Sequence, residues 1–164
     1  MILALLLTQI VAVRFSILFA RLAEKIGAIN LLSCAVGVYF FITLVGFFMG
    51  FNIEQHPGDD GARTLSLVLF WCMAFLVGTV QGGIQAISRS YFGKLIPSER
   101  SNEYFGFFDI FGKFAAGIGP LLVATFTQAT GRDSIGVISL AILFLIGLFL
   151  LFTLRRSLAA SKSR

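Results

Sequence analysis

Three uninterrupted apolar runs dictate the fold class: Ile26 to Ile53, Thr64 to Ser88 and Ser134 to Leu154 contain no Asp, Glu, Lys or Arg. At 1.5 Å of rise per residue, roughly 20 mostly apolar residues in a helix cross a hydrocarbon layer of about 30 Å. Each run is long enough to span a bilayer without burying an ion. A soluble core could not hide this much apolar surface in a chain of 164 residues, 57% of them hydrophobic, 13% charged and 19 of them Phe. Two further stretches have the length but carry polar exceptions. Met1 to about Ala20 includes Arg14, and Phe105 to about Thr127 includes Asp109 and Lys113. The expectation is an all-α membrane protein of five spans, approximately 1–20, 28–51, 65–88, 105–127 and 134–154, followed by a basic tail over 155–164. Met1 to Val13 lacks the basic segment that precedes the apolar stretch of a secretory signal, so it reads as part of a span.

Charge orients the spans. Basic segments hold Arg21 and Lys25, then Arg89, Lys94 and Arg100, then the tail residues Arg155, Arg156, Lys162 and Arg164. They alternate with an acidic loop (Glu54, Asp59, Asp60) and a short turn (Gly131, Arg132, Asp133). With the basic segments inside, those nine cations and Arg14 are cytoplasmic, Arg63 and Arg132 are outside, and Lys113 is in the membrane. The positive-inside rule then places the C-terminus in the cytoplasm and Met1 outside. A chain that starts outside with an apolar helix also suggests that at least one preceding helix is missing.

The net charge of +5 is not a nucleic-acid signature, because its cations fall in short clusters between apolar runs. Cys34 and Cys72 each lie mid-run, which suits small buried or lipid-facing residues better than a disulfide or a metal site. His56 stands alone in the acidic loop, and no second ligand shows a metal spacing with it. No cofactor is implied. No paired acids or His cluster offers acid–base chemistry, so an enzyme is not expected.

The polar residues inside the spans are the functional candidates. Gln81 and Gln85 share a helical face and, as amides that lipid would leave unsatisfied, read as cavity-lining. Asp109 and Lys113, spaced i, i+4, lie within salt-bridge reach on one face. They are either a structural ion pair or a proton or substrate relay whose pair breaks as the protein changes state. Gly78 to Gly82 and Gly46 to Gly50 have GxxxG spacing, a helix-packing signature. Gly119-Pro120 interrupts the backbone hydrogen bonding of the fourth span, either as a hinge or as a packing feature.

The segment Gln81 to Leu122, QGGIQAISRSYFGKLIPSERSNEYFGFFDIFGKFAAGIGPLL, strongly resembles the region around the tenth and eleventh helices of the "unknown major facilitator" group, vacuole effluxer-like proteins related to an autophagy transporter. Upstream, Ala20-Arg21-Leu22-Ala23-Glu24-Lys25-Ile26-Gly27 is similar to the superfamily loop signature Gly-x-Leu-Ala-Asp-Arg/Lys-x-Gly. It departs from that signature at Ala20 and Glu24, and Ala28-Ile29 replace its basic pair. The resemblance implies helices 8 to 12 of a twelve-helix fold built from three-plus-three repeats, with the substrate near the midplane between halves. It also implies that Glu24 meets the positive end of a helix from the other half, the alternative being a surface acid beside Arg21 and Lys25.

The function so implied is part of a secondary transporter of the plasma (inner) membrane, exporting a small solute such as an amino acid. No phosphate-cradling Gly-rich Lys-Ser/Thr loop is present to couple ATP. The expected partners are lipid, the solute, and either the missing half or a second copy. The alternative is a truncated, non-transporting membrane protein or an interaction subunit that packs helices through its Gly-rich faces.

Overall fold

The computed structural model describes residues 2–56 and 58–162, the side chains of 158–162 excepted. Met1 of the first expected span, and the Lys162 side chain and Arg164 of the basic tail, therefore fall outside the described residues. The described residues form five long helices: α1 (Ile2–Ile26), α2 (Ala28–Gln55), α3 (Asp60–Leu95), α4 (Ser101–Thr130) and α5 (Asp133–Lys162). All five are long and apolar enough to cross a membrane, and the protein is an integral, multi-pass membrane protein.

α3, α4 and α5 overrun the expected spans at both ends, and α1 and α2 at their C-terminal ends. The charge-free windows mark what can sit in hydrocarbon, whereas a helix continues into water wherever its residues permit. The largest extension is at the C-terminus, where α5 runs on through Arg155 and Arg156 to Lys162. Arg156 there lies 4.5 Å from the centre of the Phe152 ring, an i, i+4 contact that only a continued helix allows.

Consecutive helices turn back sharply. Gly27, with φ of 89°, is the single residue between α1 and α2, and Gly131, with φ of 69°, ends α4. Both occupy backbone that residues with a Cβ avoid. Asp59 caps α3 by accepting a hydrogen bond from the Gly61 N–H at 3.1 Å. The bundle thus has a basic end, carrying Lys25, Lys94 and Arg100, and an acidic end, carrying Glu54, Asp59 and Asp60.

Packing follows small residues, as expected where lipid removes the hydrophobic drive between helices. The most buried apolar positions are Ala35, Val80, Leu31, Ile87 and Ala12, while Phe107, Phe111, Phe114 and Phe149 are exposed. α1 packs on α3, α2 on both α3 and α5, and α4 on α5. The order across the bundle is therefore α1, α3, α2, α5, α4. α3 and α4, though consecutive in sequence, share no extended interface. Several hydroxyls in the spans donate within their own helix, as in Ser33 to the Ile29 carbonyl at 2.9 Å and Thr43 to the Tyr39 carbonyl at 3.0 Å, whereas the buried Ser66 hydroxyl has no partner among the described residues.

Both GxxxG pairs are used inside the bundle. A Cβ placed on Gly78 would lie 2.9 Å from the Thr8 carbonyl oxygen, and one on Gly82 would lie 2.6 Å from that of Ala12. On α2, Gly46 faces Val137 and Gly50 faces the Ser134 backbone. α2 and α5 are further joined at the acidic end, where Glu54 accepts hydrogen bonds from the Ser134 N–H and hydroxyl, both at 2.8 Å.

Candidate functional site: polar stripes on α3 and α4

On α3, Gln81 and Gln85 are separated by one turn, and the next turn on the same stripe brings Arg89. On α4, Asp109 and Lys113 form the facing stripe. The two meet at one point, where the Arg89 guanidinium donates to the Asp109 carboxylate in an ion pair between helices. Around it, Phe92 stacks on Phe108 at 4.9 Å between ring centres and meets Phe105 edge-on at 5.6 Å. Beyond this aromatic latch at the basic end, the two helices part.

The expected Asp109–Lys113 pair is not formed. Asp109 turns to Arg89 on the other helix, and no carboxylate lies within 4.0 Å of the Lys113 ammonium among the described residues. Helical spacing puts two side chains on one face without deciding whether a third from a neighbouring helix reaches first. A planar guanidinium competes well for a carboxylate, since its donors are fixed in a fork that matches the two oxygens. Arg89 sits at the edge of the charge-free run and reads, in sequence, as an ordinary basic-loop cation. Its i+8 spacing from Gln81 was the signal that connects it to the polar stripe.

The stripes run antiparallel, so one turn from Arg89 toward the acidic end is Gln85, and one turn from Asp109 in the same direction is Lys113. Gln85 and Lys113 are therefore at the same level, about 6 Å deeper than the ion pair. Gln81 lies one turn deeper again and is half-buried, whereas Gln85 and Lys113 are exposed. α4 has no buried residue, and a Cβ on Gly106, Gly112 or Gly117 would meet nothing within 4 Å.

The other candidates lie elsewhere. Glu24 lines a pocket of about 450 Å³ at the basic end together with Ser90, Tyr91 and Lys94, walled by Ala20, Ala23, Ala28 and Ala86. Arg21 is exposed near it, and Gly27 makes the turn that follows. Gly78 and Gly82 seat α1. Gly119 and Pro120 line a groove of about 570 Å³ between α4 and α5, with Val123, Thr127 and Leu140. α4 runs unbroken through Pro120 from Ser101 to Thr130.

An ion pair that bridges two otherwise separate helices can be tested by a double-mutant cycle. We expect Arg89→Gln and Asp109→Asn to be coupled by about 1 kcal/mol, since both side chains are roughly half exposed and solvent screens them. The cycle between Asp109→Asn and Lys113→Met should show coupling near zero. Denaturation in mixed micelles measures both, and equal coupling in the two cycles would contradict the pairing described here.

Comparison with known proteins bears on the whole chain. The model of the family described as "Vacuole effluxer Atg22 like" matches residues 1–162. An uncharacterized MFS-type transporter of Bacillus subtilis, YxiO, is 44% identical over 147 residues, covering 90% of this chain and 31% of that protein. Autophagy-related protein 22 of Eremothecium gossypii is 31% identical over 99 residues, covering 60% of this chain and 18% of that protein. Autophagy-related protein 22 of Kluyveromyces lactis is 25% identical over 146 residues, covering 70% of this chain and 29% of that protein. The chain thus spans a third or less of the length of these relatives. No solved structure matches it.

Proposed function

Since the chain belongs to the vacuole effluxer Atg22-like family, we propose that it supplies part of a secondary active transporter of the major facilitator type, moving a small solute by alternating access. One observation carries the reading. The otherwise apolar helices α3 and α4 each carry a polar stripe, and an ion pair and an aromatic cluster join the two stripes at the basic end. Intramembrane polar groups are costly, and they recur where a solute path needs them.

In this reading α1 to α5 are helices 8 to 12 of a twelve-helix transporter, and the basic end is cytoplasmic. The unburied face of α4 meets the rest of the transporter, and rocking of its two halves opens the solute path alternately to each side. Glu24, beside Lys94 in its pocket, acts at the contact between the halves. Amino acids are the first solutes to try. A purely helix-packing role is less well supported, because the Gly78–Gly82 face it would use is already occupied by α1.

Two measurements test the proposal. With Cys34 and Cys72 replaced by Ser, cysteines at Asp59 and Lys94 should react with impermeant reagents from opposite sides of the membrane, Lys94 from the cytoplasm. Labelling of both from one side would sink the topology. In proteoliposomes, the 164-residue chain alone should give no saturable amino-acid uptake, whereas the chain reconstituted with an N-terminal six-helix bundle of the family should. Saturable uptake by a monomer of the chain, or no flux in the assembled pair, would overturn the proposal.

A further inference from the structure

Where the basic ends of α1, α2 and α3 meet, they enclose a pocket of about 450 Å³, within the range of small-molecule sites. Alanines from all three helices line it, and side chains this short cannot fill the space between the backbones. The lining runs from buried Ile87 to exposed Glu24, Ser90 and Lys94. That gradient follows the membrane. The charge-free run of α3 lasts as far as Ser88, so Ile87 is at hydrocarbon level, and Lys94, six residues past Ser88, is about 9 Å further out. The pocket therefore crosses the boundary between hydrocarbon and headgroups, a level that suits the apolar ring and polar hydroxyl of Tyr91.

Its charges are of both signs and are held apart. Glu24 and Lys94 line the same pocket, yet no ion pair within 4.0 Å joins them. The backbone repeats the arrangement. Glu24 is in the last turn of α1, the partially negative end of a helix. Ala28 opens α2, and the Gly27 N-cap has no side chain to offer the free N–H groups of that turn. A lone ion of either sign is opposed by half of this lining, whereas a compact zwitterion satisfies both halves. We infer that the pocket is a lipid site that takes the headgroup of an aminophospholipid. Glu24 receives its primary ammonium, and Lys94 receives its phosphate together with the hydroxyls of Ser90 and Tyr91. The acyl chains then start at the level of Ile87, in hydrocarbon. A soluble zwitterion carries the same two charges but gains little from Ile87 and an alanine wall at that depth. The inference goes beyond the transport reading and stands apart from it, because every group it uses belongs to this chain.

The test is thermal denaturation of the purified chain in nanodiscs of phosphatidylcholine, alone or mixed with phosphatidylethanolamine or phosphatidylglycerol. Choline is a quaternary ammonium with no N–H to donate, and phosphatidylglycerol has the phosphate without the ammonium. Phosphatidylethanolamine should raise the midpoint by about 3–5 °C over phosphatidylcholine alone, and phosphatidylglycerol by less than half as much. Glu24→Gln should remove the advantage of phosphatidylethanolamine, and so should Ala86→Phe, which fills the pocket. An equal shift with phosphatidylglycerol would reveal a general attraction for anionic lipid and overturn the inference. So would a phosphatidylethanolamine shift that survives both variants, since it would belong to the bilayer as a whole. Free phosphoethanolamine added to phosphatidylcholine discs should leave the midpoint in place; a full shift would assign the pocket to a soluble zwitterion and overturn the lipid assignment. Should the variants fail to fold, photolabelling of the unaltered chain decides. A phosphatidylethanolamine with its reactive group beside the glycerol should mark the basic ends of α1 and α3, and labelling spread evenly along the helices would sink the site.

Discussion

Replacing Gly82 by Val is expected to unseat α1 from α3, costing about 3 kcal/mol, at the upper end of what overpacking a close contact costs. A Cβ at this position would sit 2.6 Å from the Ala12 carbonyl oxygen and 3.2 Å from the Ala12 Cβ. The obstructing atoms are backbone, so no rotamer change relieves the clash. Gly78 repeats the geometry one turn away against Thr8 and Val11, which means the helices cannot simply slide to make room. The neighbouring Gly83 has the Phe19 ring directly over it. The matched control is Gly106→Ala on α4, where an added methyl meets nothing within 4 Å. That change should be neutral or stabilise by up to about 1 kcal/mol, through the better helix propensity of Ala. Denaturation midpoints in detergent compare the two. A Gly82→Val protein as stable as Gly106→Ala would show that α1 does not pack where it is described.

Glu54→Ala should produce the second large loss, by freeing the acidic end of α5 from α2. Glu54 is 23% exposed and reaches across from the end of α2 to the first turn of α5. Its two oxygens take the Ser134 N–H and the Ser134 hydroxyl, and one of them also meets the Arg132 Nε at 3.3 Å. First-turn N–H groups have no partner within their own helix, and the partial positive charge there favours an acid. Ser134 is only 1% exposed, so removing the carboxylate leaves a buried donor without water to replace it. We expect the thermal midpoint to fall by about 5 °C for Glu54→Ala. Glu54→Gln, which keeps one acceptor but not the charge, should lose roughly half as much. If both variants melt within a degree of the unaltered protein, the link between α2 and α5 rests on Gly46, Gly50 and the stacking of Tyr39 on Phe144 instead.

Both expectations concern contacts between helices, and that is the boundary between what sequence and structure each decided. The number of spans was legible because crossing a bilayer is a local requirement, met or failed by each run of roughly 20 residues on its own. The polar exceptions were legible for the same reason. Gln81, Gln85, Asp109 and Lys113 are conspicuous against Leu, Ile and Phe, and helical periodicity alone sorts them onto two stripes. The packing role of Gly78 and Gly82 followed from their spacing, but that spacing left open whether the partner was inside the chain or beyond it. Only the fold assigns it to α1.

The partners of the charges depended wholly on tertiary structure. Asp109 has Lys113 one turn away, yet it pairs with Arg89, twenty residues earlier and on another helix. Glu54 looked like a loop acid and instead bonds Ser134, eighty residues later. Periodicity fixes a side chain's angle around its own axis but says nothing of the rotation or crossing angle of the neighbouring helix. Those are set by how small residues let backbones approach, over the whole length of the interface. The sequence by itself therefore determined how many helices cross and which faces are polar, and the packing decided which of those polar groups meet.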